Sequence, residues 1–75
     1  MTLATWNKAH ILLDARAAKL AEFVRLYTAD LADCTTDAGA VSVAVDIARA
    51  RHELALLEDA RAILDDADPR RRDAR

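Results

Sequence analysis

Along the first half of the chain, positions recur in alternating steps of three and four: Leu3, Trp6, His10, Leu13, Ala17, Leu20, Val24, Tyr27, Leu31 and Cys34. Only His10 departs from the apolar character. With 3.6 residues per turn, these positions share one side of an α-helix, and a stripe kept up over four heptads belongs to a helix packed lengthwise on another. Lys8, Ala15, Glu22 and Ala29 fall on the opposite face. Phe23 widens the stripe, while Ile11, Leu12 and Leu26 lie off it. The pattern predicts a helix from about residue 3 to about residue 33, opened by the hydroxyl of Thr2 or Thr5, which accepts from a free backbone N–H.

The second half repeats the motif in Val43, Ile47, Ala50, Leu54, Leu57 and Leu64, with Arg61 interrupting before the last. A second row runs beside it through Val41, Ala48, Ala55 and Ala62, edged by Leu56 and Ile63. This predicts a helix from about residue 40 to about residue 66, ended before Asp68-Pro69 because the residue preceding proline is biased away from helix. Its first turns are apolar nearly all round, as in a helix covered on more than one side. Val41, Val43, Val45 and Ile47 also alternate and are β-branched, so a short strand paired across a dimer competes there; the length and flanks of the pattern favour helix.

The stretch between, about residues 34–39, is the connection. Thr35, Thr36 and Asp37 are all N-cap candidates, and Gly39 belongs either to the loop or to the first helical turn. So short a link joins helices as antiparallel neighbours. The expected fold is all-α: an antiparallel, coiled-coil-like two-helix hairpin. Folding at the loop sets residue n near residue 74 − n, so that Leu31 meets Val43, Tyr27 meets Ile47 and Leu20 meets Leu54. Arg16 then falls near Glu58 and Asp14 near Arg61. Glu22 and Arg25, Asp46 and Arg49, and Glu58 and Arg61 stand three apart and can pair within their own helices.

Composition sharpens the picture. A chain of 75 residues buries too little of itself to be comfortable alone, and its single cysteine rules out an internal disulfide. The hairpin seam leaves Ile11, Leu12, Leu26, Val41, Val45, Leu56 and Ile63 unaccounted for. An apolar surface of that extent marks an interface, and the economical expectation is a homodimer in which two hairpins form a four-helix bundle. Docking on a larger protein is the other candidate. Trp6, at the open end, is added to these seven as a candidate partner-binding residue.

Lone-cysteine usage fits a reducing compartment, and no apolar run approaches the length of a membrane span or a signal peptide, so a cytoplasmic location is expected. Nine arginines against two lysines, with abundant alanine, suggest a GC-rich bacterial or phage genome. The formal charge of −2 is uneven: residues 1–68 hold seven cationic and twelve acidic side chains, residues 69–75 four arginines and one aspartate. The segment 69–75 is expected to be a disordered basic tail, and Arg70, Arg71, Arg72 and Arg75 are the candidate phosphate contacts if the protein binds nucleic acid. The acidic body argues against that alternative.

Little else carries chemistry. His10 and Asp14 share a helix face but supply two ligands where zinc takes four, and His52-Glu53 lacks the second histidine of a metalloprotease helix. Cys34 has no base near it and reads as a small buried residue. No phosphate loop or catalytic triad spacing occurs. The expectation is a non-enzymatic protein–protein interaction module (regulator, inhibitor, adaptor or assembly component) without cofactor or metal.

Overall fold

The computed structural model describes residues 1–74, with side chains through Arg71. Two helices of 30 residues each, α1 (Leu3–Ala32) and α2 (Asp37–Asp66), fold back on one another, and a 3₁₀ helix follows over Pro69–Ala74. The chain is therefore an all-helical hairpin. Helix, not strand, runs through residues 41–47.

Both helices begin on a threonine. Thr2 sits extended at φ −78°, ψ 159°, and its hydroxyl accepts from the Thr5 N–H at 3.2 Å. Thr36, likewise extended, accepts from the Gly39 N–H at 3.0 Å. That cap starts α2 three residues earlier than the expected Ala40 and draws Gly39 into its first turn, where Asp37 places a carboxylate at the positive end of the helix. The end of α1 uses no glycine: the Asp33 N–H donates to the Asp30 carbonyl at 3.0 Å and the Cys34 N–H to the Leu31 carbonyl at 3.2 Å. The Cys34 thiol donates to the Asp30 carbonyl at 3.4 Å.

The seam is thin. Among the described residues only Leu13, Leu20, Ile47 and Ala50 are buried, and none is wholly enclosed. Trp6, His10, Ala17, Val24, Tyr27 and Leu31 of the first stripe are half-buried, as are Val43, Leu54, Leu57 and Leu64 of the second. Leu3 lies beyond the reach of α2 and is exposed.

Ion pairs fix the register. Arg61 meets Asp14 across the seam as the spacing predicts. Arg16 instead forms a two-pronged pair with Glu53, Nε to Oε2 at 2.8 Å and Nη2 to Oε1 at 3.1 Å, and not with Glu58. The level was nearly right but the side was wrong: five residues turn a helix by about 140°, which carries Glu58 to the other flank of the hairpin. Glu22 and Arg25 pair within α1, whereas Arg61 reaches across the seam in preference to Glu58.

The hairpin measures 58 × 16 × 13 Å with a radius of gyration of 17.3 Å. A compact chain of this length has a radius of about 11 Å. The accessible surface, 5726 Å², likewise exceeds the roughly 4,500 Å² of a compact monomer this size.

Candidate interaction surfaces

Every large aliphatic side chain that the spacing leaves off the seam is exposed in the structure. On α1 these are Ile11, Leu12 and Leu26, at 66%, 71% and 44% exposure; on α2 they are Val41, Val45, Leu56 and Ile63, at 63%, 42%, 53% and 68%. Helix geometry separates them. The α1 group lies on the far side of α1 from the seam and the α2 group on the far side of α2, so the two sets line opposite edges of the hairpin.

Trp6 differs from those seven. Its indole N–H donates to the Leu64 carbonyl at 2.7 Å, its ring lies against His10 with centroids 4.3 Å apart, and the Arg70 guanidinium sits 5.1 Å over it. The residue is half-buried and engaged within its own chain, where it ties the start of α1 to the last turn of α2. His10 Nε2 is enclosed and lies 3.2 Å from Asp65 Oδ1, an ion-pair approach for a protonated imidazole but without the alignment of a hydrogen bond.

The expected disorder after Pro69 gives way to the 3₁₀ helix, and the reason lies in Asp68. Its Oδ1 accepts the Arg70 N–H at 2.9 Å, its Oδ2 takes Arg70 Nη2 at 2.9 Å, and its carbonyl accepts the Arg71 N–H at 3.0 Å. Pairing with Arg70 holds the Asp68 carboxyl below its ordinary range. Arg71 reaches Asp66 at 3.1 Å. Of the four arginines considered for phosphate contacts, Arg70 and Arg71 thus meet the chain's own carboxylates; the side chains of Arg72 and Arg75 lie outside the described residues.

A shallow groove of about 300 Å³ runs along one flank between the helices, lined by Leu20, Phe23, Tyr27, Asp46 and Arg49 and bridged by the Arg16–Glu53 pair. Phe23 and Tyr27 stack at 5.8 Å. No protein-family model, no curated protein and no solved structure matches the chain.

Among the described residues no three His, Cys, Asp or Glu side chains converge as a metal site, and no helix is long and apolar enough to cross a membrane. Cys34 is half-buried and its thiol is turned to a backbone carbonyl. The structure also brings together what spacing alone did not reveal: the Trp6–Leu64 bond joins residues 58 apart, a pairing visible only once α2 is known to end beside Trp6.

Proposed function

We propose that this protein is a small non-catalytic interaction module that works by self-association, two hairpins combining into a four-helix assembly. One observation carries the reading: besides Met1 and Leu3 at the N-terminus, seven large aliphatic side chains off the seam stand in solvent around a core of four residues. At about 25 cal/mol per Å² of apolar surface, covering even half of that area contributes several kcal/mol, comparable to the whole stability of a domain this small. A lengthwise face of a 58 × 16 Å body offers on the order of 900 Å² per copy, near the 800 Å² per partner of a standard interface. A cytoplasmic setting accords with the lone cysteine.

The same surface would serve a regulator, inhibitor, adaptor or assembly component, with a larger protein as the rival occupant. Light scattering during size-exclusion chromatography tests the reading. Wild type is expected to elute at twice its chain mass and Leu56→Asp or Ile63→Asp at once. A wild-type monomer with a cooperative melt that is independent of concentration would overturn self-association.

A further inference from the structure

The outward side of α2 carries a second heptad pattern. Val45, Arg49, His52, Leu56, Asp59 and Ile63 follow in steps of four, three, four, three and four. Each stands two residues after a member of the seam from Val43 to Arg61, hence about 200° around the helix, and each is exposed, Arg49 also bordering the groove beside Phe23 and Tyr27. A 4–3 repeat facing solvent describes one half of a helix–helix contact. Val45 and Ile63 are its two ends and Leu56 lies near its middle, with a cation in the first half and an anion in the second.

That order is self-complementary when the row meets itself reversed. Antiparallel helices pair the first position of one heptad with the fourth of the other. If residue n faces residue 108 − n of a second copy, Val45 meets Ile63, Arg49 meets Asp59 and His52 meets Leu56, each pair occurring twice about the two-fold axis. The two apolar ends and the two charged positions are then matched, with His52 against Leu56 at the centre. Sliding by one heptad in either direction sets Asp59 against Ser42 or Leu56, and parallel pairing stacks Arg49 on Arg49 and Asp59 on Asp59. Among the described residues neither Arg49 nor Asp59 makes an ion pair within the chain. The outer side of α1 also reverses onto itself, residue n against residue 41 − n setting Lys8 against Asp33, Leu12 against Ala29 and Lys19 against Glu22, but Glu22 is already held by Arg25 and the row has two large aliphatic members, Leu12 and Leu26, against Val45, Leu56 and Ile63 on α2.

We propose that α2 is the homotypic interface, joining a second copy of this chain through an antiparallel α2–α2 seam in the register that sets Arg49 against Asp59. The proposal rests on the self-association reading and adds the face, the direction and the register. It also predicts the arrangement α1–α2–α2–α1, with both α1 edges left outward.

Sedimentation equilibrium on the full chain, with circular dichroism at matched concentration, tests it by charge exchange. Arg49→Glu and Asp59→Arg should each weaken the dimer about tenfold, since each turns two attractive contacts into repulsive ones. The double variant should return to within about threefold of wild type. Positions ten apart on one helix are about 15 Å from each other, so rescue arises only between copies. If a single variant loses helicity along with the dimer, recovery of both in the double variant supports the same register. Single variants without effect, or a double variant weaker than either single, overturn it. A wild-type monomer overturns self-association itself. A wild-type dimer indifferent to the exchange but dissociated by Leu12→Asp keeps self-association and moves it to α1.

Discussion

Replacing Trp6 by phenylalanine asks what holds the open end of the hairpin. The change keeps an aromatic ring against His10 but removes the N–H that donates to the Leu64 carbonyl at 2.7 Å. A hydrogen bond of this kind contributes about 0.5–1.5 kcal/mol. The lower half of that range applies, because the Ala67 N–H also donates to the Leu64 carbonyl, at 3.1 Å, and the oxygen keeps a partner. Losing the second ring of a half-buried indole adds about 0.5–1 kcal/mol from uncovered apolar surface. The sum is about 1.5 kcal/mol. In a domain of this size it lowers the melting temperature by about 6–12 °C.

The assay is thermal circular dichroism at one fixed protein concentration, because association shifts apparent stability. Native-state amide exchange locates the loss. Faster exchange is expected at residues 6–10 and 63–67, with little change around Ile47 and Ala50 in the buried seam. An unchanged melting temperature combined with a weakened oligomer would refute the reasoning. It would return Trp6 to the partner-binding role that its sequence position suggested.

Two further outcomes follow from local geometry. A Cβ at Gly39 would stand 2.8 Å from Thr36 Oγ1, so Gly39→Ala gains about 1 kcal/mol of helix propensity and loses a cap of similar worth by displacing that hydroxyl. Urea denaturation should find it near neutral in the wild type and stabilising by about 1 kcal/mol in a Thr36→Ala background, a coupling that a double-mutant cycle reads directly. In acid, the Asp68 carboxyl sits below its ordinary value of 3.8 through its hydrogen bonds with Arg70, so its contribution is fully present above that value and is lost as pH falls through the lowered folded one. Fluorescence of Trp6, the sole tryptophan, should change below about pH 3.8 as Arg70 is released. Asp68→Asn should abolish that step.

The hairpin was legible in the sequence because heptad spacing reports one physical quantity, the burial of one side of a helix, and both stripes express it cleanly. The exposed aliphatics followed by subtraction. Misreadings share a cause in geometry that spacing does not encode. Arg16 was matched to Glu58 by level along the hairpin, while the partner was decided by which flank each side chain leaves from. Spacing likewise gives no sign that the indole N–H of Trp6, a candidate docking residue by its place at the open end, finds a carbonyl from the last turn of α2. Residues 69–75 are expected to be disordered from composition, which is blind to an aspartate placed one residue before a proline to organise the turn over Pro69–Ala74.

The Trp6 contact also determines how the hairpin responds to force. The two ends of the fold, near Thr2 and Asp68, lie side by side at one tip, and the Thr36 turn lies at the other. Tension applied through those ends does not shear the helices along their common length. It peels them, loading one layer at a time, beginning with Trp6 on Leu64 and His10 beside Asp65. Rupture should therefore occur at low force and in small steps. Two hairpins joined along α2 would present each such tip separately, so a load on one copy would unzip that copy from its tip while the shared seam is strained last.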